Sequence, residues 1–475
     1  MPLNKRIKAV NYSGTQHLHF VYGPVDIMPG QNDIEFHPNF EKPKVPGFIT
    51  RFKPNLVYSG THKVPRVDVI HLHHGVWLMN SYPTFAAGEE KTTLQLPRGY
   101  GFHYDPSDRW IMNYMLHNLT PNPKKVSITY DIDFVPDSTA AAKSLTPAHP
   151  LWMDVAGIAA YPVFNAYKGQ GKHGKFTFPN QARTADQKAA IGGAHEFTWN
   201  HDATLLGTAG HLHPGGLYTD MKLTRGAKTK ELFRSQAKYF EPAGAVSWDV
   251  SMTATKPSWK VAVKKGDRLD ISATYDTRNA SWYEVMGIMV AWYADGTRAG
   301  AKDPFKSKID THGYLTHGHL AENNNHGGKP RPTLGDARKA SNGAAADNIF
   351  IEGFVYGLGD FAMPGRKGRP PVVKAGQSIT FTNLDATTAI GPQQSAYHTI
   401  TACKAPCTGS TGIAYPIANA NVQFDSGELG YGPAGLTPAA NRNVWQTPKN
   451  LHPGTYTYFC RIHPFMRGSF RVIKK

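Results

Sequence analysis

Cysteine is almost missing from this chain, with three in 475 residues. So few thiols exclude a scaffold stapled together by disulfides and leave each cysteine free to carry a more specific role. No run of about eighteen apolar residues occurs, so no segment reads as a membrane-crossing helix. The opening Met-Pro-Leu-Asn-Lys-Arg lacks the apolar stretch of a secretory leader. Acidic residues are outnumbered, 35 against 52 Lys and Arg, for a net charge of +17. The basic residues are scattered rather than drawn into a stripe, which argues against a nucleic-acid partner and leaves an anionic partner surface as the natural match. Long amphipathic stretches of helical period are scarce as well. In their place 46 Gly and 35 Pro punctuate short alternating runs such as Val126–Phe134. This pattern predicts an all-β chain, and the length calls for roughly three domains.

The densest chemistry lies at the C-terminal end, in Tyr-Phe-Cys460-Arg-Ile-His463-Pro-Phe-Met466. A thiolate, an imidazole and a thioether share one short loop, and a second imidazole, His398, lies in the strand-like run Ser-Ala-Tyr-His-Thr-Ile-Thr. A soft thiolate with two imidazoles and a weak axial thioether is the donor set of a blue-copper electron-transfer site. The motif resembles the cupredoxins, most closely the tight loop of amicyanin, and implies a Greek-key β-sandwich over 348–475. Cys403 and Cys407 are spaced for a short-loop disulfide, which would place the protein in an oxidising compartment, periplasmic or secreted, with its signal peptide already removed.

Histidines recur upstream in three places: His71-Leu-His73-His74, His117 in Trp-Ile-Met-Asn-Tyr-Met-Leu-His-Asn, and His211-Leu-His213. On a strand, residues two apart share a face, so His211 and His213 can chelate one ion, as can His71 and His73. His73 and His74 converge only if the strand carries a bulge. Imidazole-only sets suit copper or zinc.

The order of these elements resembles the peptidylglycine α-hydroxylating and dopamine β-monooxygenase family. The resemblance implies two jelly-roll-type sandwiches, each holding one copper. The electron-storing copper would sit on His73, His74 and His117, with His71 as alternate. The O2-binding copper would sit on His211, His213 and Met286, with Met289 in reserve, and these would be the catalytic residues. With the blue site this makes up to three coppers per chain. Departures are plain: the family's carboxylate-gripping Arg is replaced by Ala209, and its Asn and Tyr after the Met are Ile288 and Val290. The central blocks contain no cysteine for the family's disulfides. A glycine-extended peptide is therefore not the expected substrate, and an apolar or uncharged small molecule suits these positions better.

The expected organisation is an extended N-terminal segment, an edge strand or arm (1–48), a first sandwich with a long connection (49–193), a second sandwich (194–304), a His/Gly/Asn-rich linker (305–347) and the cupredoxin domain. The linker's His312, His317, His319 and His326 read as a flexible loop or weak metal collector, or equally as a fold over the interface between sandwich and cupredoxin, and His103, His195 and His201 as structural or as supports behind metal ligands. The expected function is O2-dependent oxidation in which the blue-copper domain, reduced by an external donor, feeds the mononuclear pair. A protein that only transfers electrons or holds copper is the alternative. A copper nitrite reductase is a lesser variant. A multicopper oxidase is another, disfavoured because Phe459 and Arg461, not histidines, flank Cys460.

Overall fold

The computed structural model describes residues 8–28, 34–38, 40–159, 161–240, 244–320, 334–362, 369–386, 396–407, 417, 421–431 and 442–475. The chain is all-β: the described helices are one α-helical turn, Ala185–Ala189, and two 3-10 turns. Among the described residues, no helix is long and apolar enough to cross a membrane.

Three sandwiches follow one another. In the first, a sheet ordered Gln16–Ile27, Lys124–Pro136, Gly47–Tyr58, Tyr100–Tyr104 and Thr146–Pro147 lies over a sheet ordered Ile34–His37, Trp110–Asn118, Ile70–Met79 and Tyr82–Ala87. Alternating residues of both sheets fill the space between them, with Phe52, Trp77, Phe85, Trp110 and Tyr130 forming a continuous group of buried rings. The alternating run singled out at Val126–Phe134 lies in an interior strand of the larger sheet, between Gln16–Ile27 and Gly47–Tyr58. Its neighbour Gln16–Ile27 pairs from Gln16 opposite Phe134 to Ile27 opposite Lys124, so residues assigned to an N-terminal extension supply an edge strand of this sandwich.

In the second sandwich, one sheet runs His149–Asp154, Gly287–Asp295, Ala203–Leu212, Thr253–Ala254 and Tyr314–Leu315, and the other Lys175–Phe178, Arg268–Asp276, Gly216–Arg225 and Lys228–Gln236. Strand pairing thus draws 149–178, read from sequence as part of the long connection, into the second sandwich. It also draws in Tyr314–Leu315 from the segment read as linker. His317 and His319 bond to the Val250 carbonyl and the Asp249 carboxylate, while His326 lies outside the described residues.

The C-terminal unit has two four-stranded sheets. One is ordered Val355–Tyr356, Asn348–Glu352, Thr380–Asn383, Val444–Gln446, the other Val372–Lys374, Arg467–Ile473, Gly454–Phe459, Thr401–Cys403. Cys403 and Cys407 are joined as a disulfide. A single apolar cluster runs through the second sandwich and this unit without a break, so the two share a packed seam.

Candidate copper centres

Strand Gly454–Phe459 delivers Cys460 into the interior of the C-terminal unit, where the loop to Arg467 returns His463 beside it. The Cys460 Sγ lies 3.8 Å from His398 Nδ1 and 3.7 Å from His463 Nδ1, and the two Nδ1 atoms are 3.0 Å apart. One ion with bonds of about 2.0 Å to nitrogen and about 2.3 Å to sulfur spans such gaps. His398, Cys460, His463 and Met466 are all buried. The backbone N–H groups of Thr399 and His463 point at the sulfur from 3.4 and 3.3 Å. Burial alone would raise the Cys460 thiol, but His463 and His398 outweigh it and hold the group well below its ordinary value, as a thiolate. His398 donates from Nε2 to Asp385 Oδ2 at 2.8 Å, which turns its Nδ1 lone pair toward the sulfur. A carboxylate behind a metal-bound imidazole fixes both tautomer and orientation.

The upstream histidines meet where the first sandwich abuts the second. Strand Ile70–Met79 turns Leu72, Trp77 and Met79 into its own core. Its pairing with Trp110–Asn118 slips between Leu72 and His74, with His71 opposite His117. This irregularity lets His73 and His74 both leave the sandwich core. His71, His73 and His117 bring ligand atoms within 4.8 Å of one another. His213, from the second sandwich, stands 4.2 Å from His73 ring to ring. His74 and His211 lie on the far side of this group and line a different cavity. The structure therefore gathers His71, the alternate, with His73 and His117, while His74 turns its Nε2 to Asn113 Oδ1.

The state of the ring nitrogens favours metal. His71 donates from Nδ1 to the Val67 carbonyl and His211 from Nδ1 to Glu90 Oε2, each leaving Nε2 buried without a partner. His74 Nδ1, His213 Nε2 and both nitrogens of His73 and His117 are likewise buried and unpartnered. Orphaned polar atoms cost roughly 1–3 kcal/mol apiece, and so many in one place fit lone pairs directed at bound ions. Burial pushes His71 down to about 3 and His74 to about 4, and His73, His117 and His213 well below the ordinary value, so all five are neutral donors at pH 7.

Met286 is buried among Met115, Trp152 and Tyr161 in the same seam. Its carbonyl accepts from the Tyr275 hydroxyl, which in turn accepts from the His213 N–H. Met289, one strand step out of phase, faces the core of the second sandwich.

Two groups went unforeseen. Glu90 is buried against His211, and its only sequence signal is a Glu-Glu pair after an apolar strand. Trp248 stacks on His71 at 4.3 Å and also approaches His73, His117 and His213, roofing the histidines with an apolar plate.

Two cavities flank the histidines. One of about 110 Å³, mostly apolar, has His74, His211 and Glu90 at its polar end and Trp152, Ala209, Ile288, Val290 and Trp292 along its walls. The other, about 80 Å³, lies between His73, His117 and His213 and the C-terminal unit's Thr399, Glu428, Arg461 and Ile462.

Among solved structures, a purple cupredoxin from Nitrosopumilus maritimus is similar at 18% identity, over 26% of this chain and 98% of that one, with a TM-score of 0.15. A reduced Cu(I) amicyanin variant at pH 4 is similar at 19% identity, over 30% of this chain and 91% of that one, also at 0.15. No protein-family model and no curated protein matches the chain. The copper assignment rests on the donors themselves. His398, Cys460 and His463 form a buried group that could hold a metal ion, with Met466 buried on the same loop.

Proposed function

We propose that the chain is a multi-copper oxidoreductase in which the C-terminal cupredoxin supplies electrons to a buried imidazole centre that supports O2-dependent oxidation of a small, largely apolar molecule. The observation that carries this reading is the convergence of His71, His73, His117 and His213, all with unpartnered nitrogens, one small cavity away from the thiolate site. Copper bound to such donors supplies one-electron transfer and, when reduced, reactivity toward dioxygen.

The protein's own contribution is exclusion and orientation. Trp248 and the two sandwiches keep bulk water from the histidines, which strengthens every electrostatic interaction there. Val67, Asn113 and Glu90 hold three of the imidazoles in one tautomer each. The apolar cavity would seat the substrate: Ala209, Ile288 and Val290, where the monooxygenase resemblance places polar contacts, all line it and offer neither charge nor hydrogen bond. An external donor would reduce the thiolate site, and an exported, extracytoplasmic location suits the Cys403–Cys407 disulfide.

Electron storage without substrate oxidation is the second reading. The close approach of His73 to His213 favours it, because it merges two expected mononuclear sets into one group. Copper content with EPR on wild type and His211→Ala, followed by O2 uptake with a reductant, separates the readings. More than one copper per chain with reductant-driven O2 uptake supports the oxidase reading. Full copper loading without uptake supports storage, and a single thiolate-bound copper sinks both.

A further inference from the structure

Arg461 follows the copper-loop cysteine directly, yet its side chain leaves the C-terminal unit and is buried, 8% exposed, against the second sandwich. Its Nη1 donates to the Ser281 carbonyl at 2.6 Å and to Asp425 Oδ2 at 3.1 Å. The guanidinium lies 4.9 Å from the Trp282 ring and 5.5 Å from the Tyr283 ring. Burying a guanidinium is costly unless every direction is answered, and here a carbonyl, a carboxylate and two aromatic faces answer it.

What Arg461 joins matters more than its burial. On its own side, the Arg461 N–H donates to Thr399 Oγ1, and the Thr399 N–H points at Cys460 Sγ. Thr399 bonds to Thr401, which donates to the same Asp425. On the far side, the Trp282 indole lies flat on Gly215, in the turn just after His213. A Cβ on Gly215 would come within 2.3 Å of that ring, and its φ of +91° also suits glycine. A connected run therefore leads from the copper thiolate through Arg461 and Trp282 to the backbone that carries His213. Two further bonds close the seam: Val422 N–H to the Asn279 carbonyl, and Lys168 Nζ to the Val422 carbonyl.

We infer that Arg461 is a positioning residue: it locks the thiolate loop onto the second sandwich and so sets the route by which electrons pass from the Cys460 site to the His73/His117/His213 group. This rests on the proposed copper occupancy of both sites. With copper held by His398, Cys460 and His463 and by the His73/His117/His213 group, one electron would pass from the first ion to the second, and no bond or proton would move. Because docking is intramolecular, the effective concentration of the donor is set by this contact rather than by diffusion.

The test uses the full copper-loaded chain and follows electron transfer between the sites after rapid photoreduction of the thiolate site, with the thiolate absorption band recorded alongside. Arg461→Gln should keep the band and slow transfer at least about tenfold, since small displacements are enough to misplace reacting partners. Arg461→Lys, which keeps the charge, should recover part of the rate. Trp282→Leu should slow transfer from the sandwich side without touching the copper loop. Wild-type rates in both Arg461→Gln and Trp282→Leu would overturn the inference. If wild type itself shows no transfer because the imidazoles take up no copper, the functional reading fails instead. Hydrogen exchange of the metal-free protein then decides the docking role. Faster exchange at Val422 and 281–285 in Arg461→Gln supports it, and unchanged exchange refutes it.

Discussion

His73 on the first sandwich and His213 on the second stand 4.2 Å apart, ring centre to ring centre, in an edge-to-face arrangement. The first sandwich brings together His71, His73 and His117, and the second adds His213 against them. The centre belongs to the interface, and whatever binds there ties the two sandwiches together.

Replacing either partner should therefore damage one shared centre. His73→Ala and His213→Ala should each lower the copper content at the imidazole group and alter the same EPR signal, while the thiolate band persists. Because both act on one site, the double variant should lose little more than either single one. Copper analysis and EPR of the three proteins check this. Two independent losses that add would indicate separate sites.

Acid should weaken the metal-free protein in a defined window. The buried imidazoles titrate far below an unfolded histidine's value of about 6.5: His71 at about 3, His74 at about 4, and His73, His117 and His213 lower than normal, all through burial. Above that value both states are neutral and stability is unaffected. As pH falls below it, only the unfolded chain takes up the protons, so folding stability declines until the folded groups also titrate. Between pH 6.5 and pH 5, His71 and His74 each remove about 2 kcal/mol, and His73, His117 and His213 act in the same direction. Urea midpoints of the metal-free protein should drop steeply across this range, and bound copper should move the drop to lower pH. A flat profile would mean that the imidazoles are solvated.

The copper loop was readable because its ligands lie close together in the chain. Cys460 and His463 need only a short turn to meet, and a thiolate beside two imidazoles is a donor set that suits copper. The upstream ligands were legible as histidines but not as partners. Which of His71 and His74 joins His73 depends on a one-residue slip in strand pairing that alternation does not encode. His211's carboxylate, Glu90, is 121 residues away, and the Arg461–Ser281 contact spans 180. Strand Gln16–Ile27 was legible only as an edge strand or arm, without its partner or register, because it is a half-exposed edge whose pattern is set by one neighbour. Contacts of this kind follow from how sheets dock, which hydrophobic periodicity does not specify.

Asp385 should tune the thiolate site without serving as a ligand. It accepts from His398 Nε2 at 2.8 Å and from the N–H groups of Gly353 and Phe354 at 2.7 and 3.0 Å. Asp385→Asn keeps the shape but removes the charge that orients His398. Copper affinity, measured by competition with a chelator, should fall by roughly 10–100-fold. An unchanged affinity would mean that packing alone orients the imidazole.

The apolar cavity makes the last prediction, independent of any turnover. Its walls at Trp152, Ile288, Val290 and Trp292 carry no charge, and Ala209 leaves room between them. A space of about 110 Å³ lined this way should take up a small apolar probe. Xenon NMR should report binding to wild type and none to Ala209→Trp, whose indole would occupy the space. The thiolate absorption band should match in the two proteins, because the cavity lining includes none of His398, Cys460, His463 and Met466. If the tryptophan variant binds xenon as wild type does, the cavity is not where an apolar substrate would sit.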